Sequence, residues 1–451
     1  MGLTLAPVAT GFVSLLPGLL RKPGLNVYPI QMQSLTYGEL IRGNRNFRNL
    51  LAGQFISELG NWFNFIAGLG LVRLVSDASP MAAGLFFIAR MLPFALMSPI
   101  AGTFVDRFSR RQVMIATDLL RTVIALSFLL VKGPNELWIA YLATVLLHTS
   151  GAFFEGAKNA AAPNLAGKQG LLAATALLFS TRFLLMAVGS ALGGWASATF
   201  GYEIAFIINA ASFLVSAFTV WLIPEEATRD DETAIKMRSR EARASFFAEL
   251  REGLKYSVTN HFALTVLIMN MIWATGGGSV NIIFERLGGV HFSMLEGWNP
   301  DIAVAILWTV TGFGLTFGML IAHRTSIYLD RKKINHGFIG WTLIVHGLLF
   351  SVSGFMPTLW LFAAMTFVSR AIVGVEYAVQ ETMFQRSLPD YIRGRISTLD
   401  RGAELTIFGL SSYISAGLMF YMTPQTLTVI SGVLSAMAGV VWFVRERKTT
   451  Q

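Results

Sequence analysis

Apolar residues in this chain gather in long runs rather than alternating with polar ones. Twelve stretches stand out, at 50–72, 81–105, 112–131, 137–157, 171–198, 202–223, 262–284, 301–322, 337–356, 358–381, 403–422 and 425–444. A hydrocarbon core of about 30 Å needs about 20 apolar residues per helix, and most of these runs are too long for half-buried strands. Lipid offers the backbone no hydrogen-bond partners, so helices are the expected spanning form. The pattern predicts an all-α membrane protein with twelve transmembrane helices.

Composition agrees. Of 451 residues, 54% are hydrophobic and 14% charged, against about 25% charged in a soluble domain. A cytosolic enzyme or a disordered chain is excluded on that ground. There is no cysteine, which removes disulfides, thiolate zinc sites and iron–sulfur clusters. The net charge of +9 is explained by topology. Of 35 Lys and Arg, 27 fall in the two tails and alternate loops, and two (Arg73 and Lys132) in the opposite loops. Such asymmetry predicts an even helix count with both termini cytoplasmic, and no nucleic-acid partner.

The longest connection, from Pro224 to about His261, divides the stretches into two sets of six. The expected organisation is an extension at 1–45, a six-helix bundle at 46–223, a cytoplasmic linker at 224–260, a second bundle at 261–445 and a cytoplasmic tail at 446–451. Phe247, Leu250 and Leu254 share one helical face in the linker, which reads as an interfacial helix or as a solvated one. The extension is apolar over 3–20, broken by Pro7, Gly11, Pro17 and Gly18. It reads as a disordered segment, with a targeting role as the alternative. The plasma (inner) membrane is expected, or an organellar membrane if the extension is a targeting segment.

The segment Gly102-Thr103-Phe104-Val105-Asp106-Arg107-Phe108-Ser109-Arg110-Arg111 joins the second and third stretches. With it stand Asn46-Phe47-Arg48, Gly60-Asn61-Trp62, Ala89-Arg90-Met91-Leu92-Pro93, Asp118-Leu119-Leu120-Arg121, Leu250-Arg251-Glu252-Gly253-Leu254 and Arg393-Gly394-Arg395. On these residues the chain, from Asn46 to about Lys448, resembles the major facilitator superfamily. The likeness is closest to the branch containing macrolide efflux pumps and the enterobactin exporter. That family usually has glycine where Ser109 stands. The resemblance implies two six-helix bundles around a midplane cavity lined by spans 1, 4, 7 and 10. It also implies a conformational switch at Gly102, Asp106, Arg107, Arg110 and Arg111, with Asp118 and Arg121 beside it. Asp106 can pair with Arg107 or Arg121, or meet a helix N-terminus of the other half, when the bundles close on the cytoplasmic side.

Ionisable groups inside spans cost about 2.5–3.5 kcal/mol each to insert, so each is a candidate for function. Span 1 presents Gln54, Glu58 and Asn61 on one face, with Asn64 nearby. Span 4 has His148 and Glu155; span 7 has Asn270; span 10 has Arg370, Glu376 and Gln380. Arg90 and Arg182 lie in spans 2 and 5, either as attractors of an anionic cargo or as partners of Glu58 or Glu155. Glu285, Arg286 and Glu381 read as hydrated edge residues. Glu58 is the first choice as proton carrier, because an acid in a span gains or loses its proton as its surroundings change. Asn61 stands where relatives often have a titratable aspartate.

No phosphate-binding GxxxxGK[ST], GxSxG or HExxH motif is present. The expectation is a secondary active transporter without a cofactor or metal, using the proton gradient as an antiporter for efflux of a drug- or siderophore-like amphipathic molecule. Its expected partners are the lipid bilayer, that small molecule and protons, and it is expected to be a monomer. The alternatives are an importer or lysophospholipid flippase of the same fold, and a non-transporting membrane scaffold or sensor.

Overall fold

The computed structural model describes residues 35–105, 108–228 and 246–446. Among these residues there is no strand. The principal helices are α1 Tyr37–Gly43, α2 Arg45–Val75, α3 Pro80–Val105, α4 Arg110–Ser127, α5 Leu137–Phe200, α6 Tyr202–Trp221, α7 Phe246–Thr259, α8 His261–Arg286, α9 Pro300–Lys332, α10 Asn335–Ser353, α11 Leu359–Ser387, α12 Asp390–Leu418 and α13 Pro424–Glu446. Asp106 and Arg107 of the expected switch lie outside the described residues, as do most of the extension, the linker over 229–245 and the tail from 447 onward.

The helices start where short polar side chains can cap them. Asn44 accepts from Phe47 N, Asn260 from Ala263 N and Asn299 from Asp301 N, each at 2.9 Å. Pro300 then takes the first position of α9, where no intrahelical donor is needed. Helix α5 consists of two arms that meet at Gly167, whose φ of +67° and ψ of 170° suit glycine alone. The segments on either side, Pro134–Gly167 and Gln169–Phe200, are each long and apolar enough to cross a membrane. The loop expected between them therefore shrinks to a single turn. Lys158, counted by charge among the cytoplasmic residues at the end of span 4, is buried in the first arm, its Nζ 2.6 Å from Glu155.

Ten segments among the described residues are apolar and long enough to cross a membrane. The 31-residue α2 and 29-residue α12 complete a set of twelve long helices. Polar residues interrupt both, α2 through Gln54, Glu58, Asn61 and Asn64, α12 through Asp400, Arg401 and Glu404. Helix α12 begins thirteen residues earlier than the stretch predicted at 403–422, which carries Asp400 and Arg401 into the helix beside Glu404.

Helices α2 to α6 pack on one another, and α8 to α13 do likewise. Linker helix α7 packs on α12 and α8. Its Leu254 is exposed, and the side chains of Phe247 and Leu250 lie outside the described residues. Between the two sets, the second arm of α5 meets α9, and α3 meets α12. These are equivalent pairs in a six-plus-six duplication. The seam between the sets is tight toward the α2–α3 turn. There Gly84 abuts Ala416, Gly194 abuts Ala305 and Gly312 abuts Ala187, with no space for a Cβ. At the other, Lys- and Arg-rich end, Gly102 of α3 and Gly402 of α12 face open space. Helices α3 and α12 touch at one end, and at the other these two positions meet no neighbouring atom. Just below the tight end, Trp308 of α9 lies 5.8 Å from Trp62, 5.2 Å from Phe65 and 5.4 Å from Phe284 between ring centroids. This aromatic plug ties the two sets together.

Candidate functional site

The polar contacts that close the tight end come from residues that hydropathy does not mark. Arg73, in the last turn of α2, donates through Nη1 to both carboxylate oxygens of Glu285 on α8 at 3.0 Å. Its Nη2 donates to Asp301 on α9, and the Tyr202 hydroxyl also bonds Asp301. The side chains of Arg73, Glu285 and Asp301 are 9%, 4% and 8% exposed. In the opposite sense, Arg286 of α8 donates to the Ala78 carbonyl at 2.5 Å. That carbonyl belongs to the α2–α3 turn, where Asp77 and Ala78 both hold φ above +50°. Such angles are uncommon for residues other than glycine. Two arginines thus cross the seam, one from each set. The reading of Arg73 as a loop residue and of Glu285 as hydrated is corrected here: each is buried because its partner lies more than 200 residues away in sequence.

Further down the first set, α2, α3 and both arms of α5 bring ionisable groups together. Asn61 Nδ2 donates to Glu58 Oε2 at 3.2 Å. Arg90 lies over the Phe65 ring at 4.4 Å and the Trp62 ring at 5.8 Å, within electrostatic reach of Glu58 and Arg182. Arg182 stands exposed in the middle of the second arm and also reaches Glu155. Glu155 pairs with Lys158. His148 lies within reach of Arg90 and Arg121, its Nε2 buried without a partner. Gln54 donates to the Leu178 carbonyl at 3.2 Å, and Asn64 Oδ1 is buried without a partner. Glu58, Arg90, His148, Glu155 and Arg182 therefore share one neighbourhood beneath the aromatic plug.

The second set holds a separate polar group. Asn270 of α8 donates to both oxygens of Asp400 at 3.2 and 3.0 Å, and accepts from Gln380 of α11 at 3.1 Å. Arg401 donates to Glu404 at 2.7 Å. Sequence reasoning missed Asp400 because it began this span at residue 403, and passed over Glu404 although that residue lies within the predicted stretch. Arg370 lies over Phe350 at 5.2 Å with its Nε unpartnered. Glu376 is 3% exposed, and its Oε1 has no partner.

The residues assigned to the switch behave differently. Arg121 donates to Asp118, which is 0% exposed, and stacks on Phe154 at 4.3 Å and Phe213 at 4.5 Å. One helical turn apart, the two form an ion pair inside the first set, binding α4 to α5 and α6, with Asp118 Oδ2 and Arg121 Nε buried without a partner. They do not reach the second set. Arg110 donates at 3.0 Å to the carbonyls of Ala160 and Thr228, and Arg111 donates to the Trp221 carbonyl at the end of α6. Arg111 caps the end of α6, while Arg110 ties α4 to the first arm of α5 and to Thr228, all within the first set. Ser109 accepts from Gln112 N as the N-cap of α4, with φ −64°, so no glycine is needed there. Gly102 faces open space. Among the described residues no group of three His, Asp or Glu side chains is placed to hold a metal ion.

Comparison with known proteins gives the family. The model of the Major Facilitator Superfamily matches residues 50–399. The putative bacilysin exporter BacE of Bacillus subtilis (strain 168) is 28% identical over 386 residues, covering 83% of this chain and 87% of that protein. Macrolide efflux protein A of Streptococcus pyogenes is 21% identical, covering 78% of this chain and 84% of its own length. Among solved structures, the nucleoside transporter NupG superposes with a TM-score of 0.66 at 13% identity, covering 89% of this chain and 98% of that one.

Proposed function

We propose how this chain, which belongs to the major facilitator superfamily and is a multi-pass membrane transporter rather than an enzyme, does its work: it exports a small amphipathic molecule by alternating access, in exchange for protons. The observation that carries the reading is the one-ended seam. Arg73, Glu285, Asp301 and the aromatic plug shut the two sets at one end, while Gly102 and Gly402 meet no neighbouring atom at the other. The excess of Lys and Arg assigns that second end to the cytoplasm. The structure is then the inward-open member of the cycle, and the outward-open member needs Arg73 to leave both carboxylates. Glu58, within electrostatic reach of Arg90 beneath the plug, is the group proposed to exchange protons. Each proton carried inward gains about 2.3 kcal/mol per 100 mV of membrane potential. Likeness to a putative exporter and an efflux protein supports the outward direction.

Proteoliposomes loaded with an amphipathic fluorescent dye and given a pH gradient test the proposal. Wild-type protein is expected to drive the dye against its gradient. Glu58→Gln is expected to abolish that dependence on pH while sparing downhill dye exchange. Unchanged gradient-driven transport in the variant would remove Glu58 from the coupling.

A further inference from the structure

We infer that the neighbourhood of Glu58, Arg90 and Arg182 is a subsite for a zwitterionic small molecule with an apolar body: the ammonium goes to Glu58, the carboxylate to Arg182 and Arg90, and the body to the aromatic plug. This rests on the export reading above and names its cargo class.

The first ground is which charges are left over. In the spans of the first set, Arg121 pairs with Asp118 and Lys158 pairs with Glu155. Arg73 is committed to the seam. Glu58, Arg90 and Arg182 form no ion pair among the described residues. Glu58 is bonded by the neutral Asn61 amide, Arg90 is stacked on Phe65, and Arg182 is exposed halfway along its helix. Glu58 and Arg182 each lie within electrostatic reach of Arg90, and none of the three has a direct ion-pair partner among the described residues. Leaving such groups unpaired inside a membrane is costly unless a ligand or water meets them.

The second ground is the sign of the coupling. An anion bound next to Glu58 favours a proton there, so proton and anion would travel together. A cation on Glu58 displaces the proton, which is what exchange requires. A purely cationic cargo, however, is repelled by Arg90 and Arg182. A molecule carrying both charges satisfies all three side chains and keeps the exchange sign. Of the other titratable groups on the surrounding elements, His148 stands in the same neighbourhood with its Nε2 unpartnered, and the rest are paired or lie elsewhere. Helix α3 supplies Arg90, and the arms of α5 supply His148, the Glu155–Lys158 pair and Arg182. Helix α4 supplies the closed Asp118–Arg121 pair, α1 supplies Glu39, bound to Thr36, and α9 supplies Asp301, held by Arg73. In α6 the acid and phenol, Glu203 and Tyr202, sit at the sealed end.

The third ground is the wall. Trp62 and Phe65 carry Arg90 on their faces and touch Trp308 of the other set. An aromatic body bound there would sit beside the charges and against the seam that must open.

The test uses the full chain in lipid nanodiscs and titration calorimetry with three probes. These are 2-naphthylalanine, its amide (cation only) and its N-acetyl form (anion only). Wild-type protein is expected to bind the zwitterion at least tenfold more tightly than either capped form. Glu58→Gln should weaken the zwitterion and the amide about tenfold and spare the N-acetyl form. Glu58→Asp, which keeps the charge, should retain the preference. Arg182→Gln should weaken the zwitterion and the N-acetyl form and spare the amide. Equal affinity for all three probes, or variants that weaken all three alike, would overturn the assignment. Lost selectivity with gradient-driven dye transport intact overturns this inference alone. Intact selectivity without transport overturns the export reading alone.

Discussion

The clamp at the sealed end gives the sharpest prediction. Arg73→Met removes the cation that faces Glu285 and Asp301 and leaves two carboxylates buried without a counter-charge. All three side chains are under a tenth exposed, so screening by water is small. Breaking a buried pair from one side costs about 3–5 kcal/mol. The cost falls only on the sealed state, because the outward-open state hydrates the same groups. At about 1.4 kcal/mol per factor of ten, the sealed-to-open ratio should fall by roughly two to four powers of ten. The absence of cysteine allows spin labels to be placed at will. Lys132 and Tyr421, 68% and 87% exposed at the sealed end of opposite sets, can be changed to Cys and labelled without disturbing packing. Pulsed electron–electron double resonance should then show one short distance in the parent and a new, longer population with Arg73→Met. Replacing all three members with apolar residues (Arg73→Met, Glu285→Met, Asp301→Leu) should restore the short distance, since no charge remains to be hydrated. Identical distance distributions in the parent and the single variant would refute the clamp. A triple variant as open as the single one would refute the electrostatic reasoning.

Other consequences are equally open to measurement. Arg121→Met leaves Asp118 unpaired at 0% exposure and should cost about 3–5 kcal/mol of stability in thermal unfolding, while the folded fraction keeps its cargo preference. Gly167→Ala meets no neighbouring atom, so its cost is conformational, about 1–3 kcal/mol. Gly151→Ala, also in open space but within a regular helix, should be neutral or slightly stabilising in the same melt. The Glu39 carboxyl accepts from the Thr36 backbone N–H and hydroxyl, each at 2.8 Å, which holds it below the usual carboxylate range. Its folded value lies under the unfolded value of about 4.3, so the capping contribution is present above that pH and is lost as pH falls through the folded value. Protection of the Leu40 amide in hydrogen exchange should therefore fall once pH drops below the unfolded carboxylate value, and Glu39→Gln should remove that dependence.

Hydropathy alone determined that the chain is a helical membrane protein, and eleven of the twelve stretches lie closely over the observed helices. Span membership was least legible at α12, where Asp400, Arg401 and Glu404 break the apolar run that marks a span. It was also blurred at Gly167, where a single residue does the work of a loop. The polar faces of α2 and α5 were readable because residues three, four or seven apart share a helix side whatever the partner. Asp118 and Arg121 were visible for the same reason, but their role was not: whether such a pair faces its own bundle or the other depends on how the helix is turned in the packed molecule. The clamp of Arg73 with Glu285 and Asp301, the stacking of Arg90 on Phe65, and the Gln380–Asn270–Asp400 chain were decided by tertiary structure. Each joins residues on different helices or different turns, and several join groups more than a hundred positions apart. Hydrophobic periodicity is a property of one helix and is written locally. Charge pairing in a low-dielectric interior depends on angstrom-scale distances between helices, which arise only when both bundles have packed.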